Sequence, residues 1–173
     1  MLVTILDTSA FIQGYNPTNS EIEQYTVPFV YAEIHEEIAR LRYESARSSG
    51  QLKERVPSAK SMDVIEQIAT QSGEAHFLSN TDKQILSLAL DLKSEGKNPV
   101  IISDDYSVQN MAQKLRFKFQ ARGTKGIKKE INWVIYCPGC KKKFNILSTD
   151  NKCPICGTQL KRKPKKQIFY KQI

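Results

Sequence analysis

The sequence predicts an α/β domain, with a central parallel sheet between two layers of helices, followed by a small β module. Three observations carry this prediction. Over residues 1–120, short apolar segments typical of strands alternate with segments of helical periodicity. Residues 121–132 are rich in Gly and Lys and have no apolar period, which is typical of a linker. Residues 133–173 then hold all four cysteines of the chain.

The N-terminal half begins with a buried strand at residues 2–6, where an apolar and β-branched run ends at Asp7. A short helix or turn over residues 8–12 should follow it. Residues 27–30 are predicted to form a second strand or extended segment. Residues 31–48 have the apolar spacing of a helix.

The second half of the α/β domain has clearer start and stop signals. Pro57 suits the first turn of a helix and Gly73 suits its end. Thr81 is the expected cap of the next helix, which Gly96 should close. The predicted elements are helices over residues 57–72 and 81–93, a strand over 99–103, a helix over 104–119 and a ribbon strand over 133–136.

The four cysteines form two matched turns, Cys137-Pro138-Gly139-Cys140 and Cys153-Pro154-Ile155-Cys156. Each turn directs two thiolates at one point, and residues 141–152 are long enough for a hairpin between the turns, so the spacing predicts a tetrahedral zinc ribbon. With all four positions filled by protein, the zinc should be structural. Two disulfides are the alternative. They would need an oxidising compartment, and Asp7 interrupts the N-terminal apolar run too early for a secretion signal.

Charge is divided unevenly along the chain. Residues 1–120 carry 12 Lys+Arg and 16 Asp+Glu, whereas residues 121–173 carry 14 and 2. A basic face next to a zinc ribbon favours a nucleic acid partner over a solubilising tail or an anionic membrane. The expected RNA contacts are Lys125, Lys128, Lys129, Lys141, Lys142, Lys143, Lys161, Arg162 and Lys163. Because no apolar run is long enough to span a bilayer, we expect a soluble cytoplasmic protein without a membrane partner.

Acidic residues recur at the ends of predicted strands. Asp7 closes the first strand, and Asp104 and Asp105 follow the strand at residues 99–103. Ligand sites of parallel α/β sheets gather at the carboxyl ends of strands. Asp82, in the first turn of its helix, and Glu33, near the start of another, are expected at the same rim. Such carboxylates would repel one another unless a divalent cation bound them, and hard oxygen ligands favour Mg²⁺ or Mn²⁺.

Each acid also has an ordinary structural interpretation. Asp7 suits a helix cap, and Asp82 and Asp105 suit the first turn of a helix, where a negative charge complements the helix dipole. Glu33 fits a solvated face that also carries Glu36 and Glu37. The repeated strand-end placement of Asp7 and Asp105 favours a shared site over four separate caps.

The ordered acidic segments at residues 7–12, 32–34, 79–82 and 101–110 resemble the motifs of PIN-domain nucleases over residues 1–120. With the ribbon added, the whole chain is similar to the NIN-one-binding type of PIN endonuclease, in its archaeal form. The resemblance implies a metal-dependent endoribonuclease that trims the 3′ end of precursor small-subunit rRNA within a pre-ribosomal particle. Two alternatives remain, a catalytically idle RNA-binding assembly factor and a toxin-type PIN ribonuclease.

The same resemblance assigns site residues. Asp7, Glu33, Asp82 and Asp105 match the metal-binding acids of the family, and its strand-end pattern favours Asp105 over its neighbour Asp104 as the inner ligand. Asp104 would then support that ligand or replace it. The relative placement of the two modules does not follow from the sequence, and a linker that stays mobile until RNA docks is expected.

Overall fold

The computed structural model describes residues 1–123, 126, 133–144 and 151–164. Five parallel strands form the first sheet in the order β3-β2-β1-β4-β5. They are β1 (Leu2–Leu6), β2 (Glu23–Thr26), β3 (Leu52–Glu54), β4 (Asn98–Ile102) and β5 (Lys118–Gln120). Helices flank the sheet, and together with it they form what we call the α/β body. They are α1 (Thr8–Ile12), α2 (Pro28–Glu33), α3 (Glu37–Ser48), α4 (Ala59–Ser72), α5 (Asn80–Ser94) and α6 (Tyr106–Lys114).

The strand order indicates where a functional site of this sheet is expected. The chain runs from β1 to β2 and β3 on one side, then returns to add β4 and β5 on the other. The order therefore reverses between β1 and β4, and the carboxyl ends of two such strands border a crevice. Strand β1 is central and apolar because both its faces are covered: Val3, Ile5 and Leu6 are fully buried.

The second sheet has three antiparallel strands in the order β7-β6-β8. They are β6 (Trp133–Tyr136), β7 (Lys143–Phe144) and β8 (Lys161–Pro164). These strands and the two cysteine turns are called the ribbon below. None of the helices in the described ranges has the length and apolar character needed to cross a membrane.

The prediction of a strand at residues 27–30 is wrong. Val27 caps α2 and Pro28 occupies its first turn, and the strand is β2, immediately before it. Strand β2 was missed because its buried residues include polar ones. Their hydrogen bonds are made inside the protein: Thr26 Oγ1 donates to the carbonyl of Leu6 at 2.8 Å, and Gln24 Nε2 donates to the carbonyl of Pro17 at 2.7 Å.

Other boundaries also differ from the sequence prediction. The helix expected over residues 31–48 is two helices, because the chain is extended at Ile34 (ψ 111°) between α2 and α3. The residue that caps α5 is Ser79, and Thr81 is already inside the helix. Helix α6 ends at Lys114, and Arg116 takes a positive φ of 57° that turns the chain into β5. The strands at residues 2–6, 99–103 and 133–136 are confirmed to within one residue.

Candidate active site and cysteine site

Asp7 lies at the carboxyl end of β1, where it caps α1. Its Oδ1 accepts a hydrogen bond from the Thr8 N–H at 2.7 Å, and its Oδ2 accepts from the hydroxyls of Ser9 at 3.0 Å and Ser103 at 2.6 Å. Burial raises the pKa of Asp7, and the negative charge of Asp105 adds to this effect, while these hydrogen bonds oppose it. The carboxylate is held in one orientation although no cation neutralises it within the described structure.

Asp105 lies across the crevice, after β4, and caps α6. Its Oδ1 accepts from the N–H groups of Ser107 at 2.6 Å and Val108 at 3.2 Å. Its own N–H donates to Ser103 Oγ at 3.1 Å, which ties the start of α6 to the hydroxyl that also contacts Asp7. The Asp105 side chain is exposed at the rim.

Ser103 is the residue that sequence reasoning passed over. Its side chain is almost fully buried between the two acids. The signal was available, because a hydroxyl residue two positions before Asp105 is part of the strand-end pattern that singled out Asp105. Ser9, by contrast, contacts both Asp7 and the backbone N–H of Asp104 at 2.9 Å.

Asp82 joins the same rim from the first turn of α5. It forms a capping box with Ser79: the Ser79 N–H donates to Asp82 Oδ2 at 2.7 Å, and the Asp82 N–H donates to Ser79 Oγ at 3.1 Å. Burial and, to a smaller extent, the charges of Asp7 and Asp105 raise the pKa of Asp82 to about 6 against the opposing hydrogen bonds with Ser79. The negative charges of Asp7, Asp82 and Asp105 therefore interact with one another.

Glu33 is the last residue of α2, rather than near the start of its helix. Its Oε2 accepts a hydrogen bond from Thr8 Oγ1 at 2.7 Å, so this exposed carboxylate lies beside the first residue of α1, next to Asp7. The structure thus places Asp7, Glu33, Asp82 and Asp105 around one crevice. We call these four residues the acidic rim.

Asp104 is directed elsewhere. Its Oδ1 accepts from the backbone N–H groups of Arg122 and Gly123, each at 3.0 Å. The side chain anchors the segment that follows β5, which is a structural task. Of the neighbouring pair, Asp105 has the electrostatic coupling to Asp7 and Asp82.

The spacing of the acidic rim limits how it can bind a metal. Among the described residues, the four cysteines form the group whose metal-ligating atoms all lie within 4.8 Å of one another. The rim carboxylates do not form a second group of this kind in the part of the chain that the structure describes. Mg²⁺ keeps several of its waters and takes only one or two direct carboxylates, so a hydrated ion suits an open ring of oxygens. The hard donor set and the shared negative charge fit such an ion.

The cysteines meet as their spacing predicts. All four thiols are free, with Cys137 Sγ 3.4 Å from Cys156 Sγ and Cys140 Sγ 3.6 Å from Cys153 Sγ. All four Sγ atoms lie within 4.8 Å of one another, so they meet as one group and not as two separate pairs, which favours one metal ion over two disulfides. The group is suited to hold one metal ion and fits a zinc ribbon.

The two cysteine turns are built alike. The residue after the second cysteine has a positive φ in both, 63° at Lys141 and 72° at Gly157. Backbone hydrogen bonds repeat too, since the N–H of Cys137 donates to the carbonyl of Lys142 and that of Cys153 to the carbonyl of Thr158. Gly139 is required for a different reason: a Cβ there would lie 2.7 Å from Thr158 Oγ1.

The basic residues of the ribbon fall into two groups. Lys141, Lys142, Lys143, Lys161 and Lys163 are exposed. Arg162, also a predicted RNA contact, is half-buried, and its guanidinium forms an ion pair with the buried Glu74 of the α/β body at 2.8 Å. Lys125, Lys128 and Lys129 lie outside the described residues.

The fold and the acidic rim define a PIN-domain ribonuclease, and the PIN domain of ribonucleases is the family that matches residues 4–92. Over 166 residues the chain is 39% identical to the Endoribonuclease Nob1 of Pyrococcus abyssi, covering 96% of each chain. The chain belongs to this Nob1 family of endoribonucleases, as the resemblance of its motifs predicts.

Two further relatives carry other names. The Ribonuclease VapC1 of Thermoplasma acidophilum is 33% identical over 161 residues, covering 93% of this chain and 78% of that protein. The 20S-pre-rRNA D-site endonuclease nob1 of Schizosaccharomyces pombe is 35% identical over 92 residues, which is 53% of this chain and 23% of that protein.

Proposed function

We propose that this chain is a metal-dependent endoribonuclease that cleaves precursor small-subunit rRNA at its 3′ end, acting in the cytoplasm on a pre-ribosomal particle. Membership of the Nob1 family supports the reaction, and the name of the yeast relative, a pre-rRNA endonuclease, supports the substrate. The observation that carries the proposal is that Asp7 and Asp105 follow adjacent strands and both hydrogen-bond to Ser103, with the Asp82 carboxyl close enough for their charges to raise its pKa.

The acidic rim is the proposed site of a hydrated Mg²⁺ or Mn²⁺, which Asp7, Asp82 and Asp105 would bind directly or through its waters, with Glu33 at its edge. When bound, such an ion activates a water for attack on a phosphodiester and stabilises charge on the leaving oxygen. We propose Asp105 over Asp104 as the inner ligand, because the Asp104 carboxylate accepts hydrogen bonds from the Arg122 and Gly123 backbone.

The chain itself supplies orientation. Ser9 and Ser103 fix the carboxylate of Asp7, the α6 backbone fixes Asp105, and Ser79 fixes Asp82. Preorganised ligands need little rearrangement during the reaction. The α/β body contains no cysteine, so the proposed mechanism uses water as the nucleophile and needs no covalent intermediate.

The cysteines are proposed to bind one structural Zn²⁺. The hydrogen bonds between Thr158 and Cys156 lower the pKa of that thiol to about 6. At Cys140 the backbone hydrogen bond of Lys142 also lowers the pKa, but burial and the hydrogen bonds with the other three thiols outweigh it and raise the pKa to about 11. A metal that binds all four cysteines must therefore displace protons. Burial of Ile135, Leu160 and two cysteines gives the ribbon only a small core, so the metal supplies much of its stability.

The exposed lysines of the ribbon are the proposed RNA contacts. Strand register places Lys143, Tyr136 and Lys161 side by side, and Lys163 Nζ lies 4.5 Å from the Tyr136 ring centroid. Lysines around an aromatic ring suit phosphate contacts and stacking of an unpaired base. We accordingly propose a nuclease domain at residues 1–120, a linker at 121–132 and a ribbon with a basic tail at 133–173.

A cleavage assay on a precursor rRNA fragment with Mn²⁺ tests the proposal. Asp7→Asn and Asp82→Asn should abolish cleavage while retaining RNA binding. Asp63→Asn is the matched control, since this exposed acid lies on α4. Full cleavage by both rim variants would end the carboxylate mechanism, and RNA binding without cleavage by the native chain would favour an idle assembly factor.

The substrate needs its own comparison, because relatives of similar coverage carry different ribonuclease names. The native chain should cleave the precursor fragment at one position and leave mature rRNA and tRNA intact. Cleavage of mature RNAs at rates equal to the precursor would instead support the toxin-type alternative.

A further inference from the structure

Arg162 faces the α/β body, in contrast to the lysines on either side of it. In β8 it pairs with Ile135 of β6, while Lys161 and Lys163 pair with Tyr136 and Val134. Side chains alternate between the faces of a strand, and paired residues share a face. Ile135 and Arg162 therefore form one side of the ribbon sheet, and the two lysines form the other.

On the α/β body, Glu74 and Phe77 contact the Arg162 guanidinium, and we call these two residues the socket. Glu74, just after α4, is fully buried, and its Oε2 accepts from Arg162 Nη1 at 2.8 Å. Its Oε1 accepts from Asn110 Nδ2 at 2.6 Å. The guanidinium lies 3.7 Å from the ring centroid of Phe77 and 4.1 Å from that of Trp133, so one aromatic residue from each module contacts it.

Loss of the ion pair between Arg162 and Glu74 would leave a buried carboxylate without a compensating charge. A buried carboxylate is costly unless a cation compensates it, and breaking such a pair by removing one partner is strongly destabilising. Within the described residues Arg162 is the cation that pairs with Glu74. Apolar packing supports the ion pair, because Phe77 packs against the ribbon core that contains Ile135.

The socket is linked to the acidic rim through one residue. Arg162 Nη2 donates to Ser107 Oγ at 3.0 Å, and the Ser107 N–H donates to Asp105 Oδ1 at 2.6 Å. Ser107 is in the first turn of α6, directly after the Asp105 cap. A ribbon side chain thus contacts the helix turn that orients a rim carboxylate.

We propose that Arg162 holds the ribbon against the α/β body in the RNA-free protein and, through Ser107, is a positioning residue for Asp105. The part that concerns Asp105 rests on the proposed metal-dependent function, while the docking itself does not. Arg162 is then excluded from the set of RNA contacts, and the ribbon is fixed before RNA arrives.

Docking is tested on the full chain without RNA, by NMR relaxation. The native α/β body and ribbon should tumble with the same correlation time. Arg162→Ala should give the ribbon a shorter correlation time while one Zn²⁺ per chain is retained, and Lys60→Gln, which removes an exposed cation from α4, should leave tumbling as in the native chain. Independent tumbling in the native chain, or unchanged tumbling in Arg162→Ala, would overturn the docking proposal.

Positioning is tested by Ser107→Ala, which keeps the Arg162–Glu74 pair but removes the contact with α6. We expect common tumbling, RNA affinity equal to the native chain, and roughly 10-fold weaker Mn²⁺ binding or slower single-turnover cleavage, the scale usual for groups that support metal ligands. Arg162→Lys preserves the charge without the two-pronged geometry, so it should share this phenotype.

The outcomes separate the two levels of the proposal. Native Mn²⁺ affinity and native cleavage in Ser107→Ala would reject the positioning role and leave docking standing. If the native chain cleaved no RNA, the proposed function would fail, but tumbling and Mn²⁺ titration would still decide docking and positioning.

Discussion

The hydroxyl of Ser103 donates to Asp7 Oδ2 at 2.6 Å and accepts from the N–H of Asp105 at 3.1 Å. One buried hydroxyl therefore links the two acids that follow the paired ends of β1 and β4. The two acids come from strands that are 96 residues apart at their starts in the chain but adjacent in the sheet. Their alignment depends on this hydroxyl as well as on the backbone.

Ser103→Ala should lower the rate of Mn²⁺-dependent cleavage roughly 10-fold, because the orientation of Asp7 and the start of α6 both lose a support. The free energy of unfolding should fall by about 1–2 kcal/mol, since the Asp105 N–H loses its acceptor. Single-turnover kinetics and urea unfolding measure the two effects. Ser103→Thr keeps the hydroxyl and is the control; equal rates in Ser103→Ala and the native chain would refute the role.

Asp82→Asn should stabilise the protein at neutral pH when no Mg²⁺ or Mn²⁺ is added. The pKa of Asp82 is raised from 3.8 to about 6, so the folded state binds more protons between these values and stability falls as pH rises through them. The gain at pH 7 should be roughly 1–2 kcal/mol, after allowance for solvent screening, and should vanish below pH 4. Denaturant unfolding across this range measures it.

Asp91 supplies the opposite control for that experiment. It is buried, yet hydrogen bonds from Ser61 and Ser58 overcome the effect of burial and lower its pKa. Asp91→Asn should therefore destabilise the protein above pH 4, with a loss that shrinks on acidification. If both variants changed stability in the same direction, the distinction between rim acids and structural acids would be wrong.

Asp105→Asn and Asp104→Asn should behave differently although the residues are neighbours. Asparagine keeps a cap acceptor for α6 at position 105, so the first variant should fold normally but lose Mn²⁺-dependent cleavage. The second should retain most of the activity, because Asp104 Oδ1 accepts hydrogen bonds from the backbone N–H groups of Arg122 and Gly123, after β5. Mn²⁺ titration and cleavage rates decide this, and loss of cleavage in Asp104→Asn alone would reverse the assignment.

Lys141→Gly should stabilise the ribbon. Lys141 has φ 63° where the equivalent residue of the other turn is Gly157, and a left-handed conformation costs a residue with a side chain about 1 kcal/mol. The entropy of glycine in the unfolded chain offsets part of this gain, leaving about 0.5 kcal/mol. Resistance to zinc removal by a chelator measures the change, with Gly157→Lys expected to weaken the site; a weaker Lys141→Gly ribbon would contradict the strain argument.

Some features of the fold were predictable because the signal is local. Strand β1 is a continuous apolar run, the two cysteine turns have fixed spacing, and Asp7 and Asp105 follow their strands directly. Strand β2 gave no such signal, because its buried polar residues, Gln24 and Thr26, are satisfied by partners distant in sequence. Local periodicity cannot report a hydrogen bond to another segment.

The residue pattern alone predicts the chemistry of this protein: four thiols spaced for one metal ion, carboxylates at strand ends, and a basic C-terminal third. Which of two chemically similar residues takes which role is visible only in the folded chain. Asp104 and Asp105 carry the same group, yet one binds backbone and the other faces the rim; Arg162 and Lys163 are both cations, yet one pairs with buried Glu74 and the other is exposed. The physical reason is that direction and burial are set by packing between distant segments, which residue identity alone does not encode.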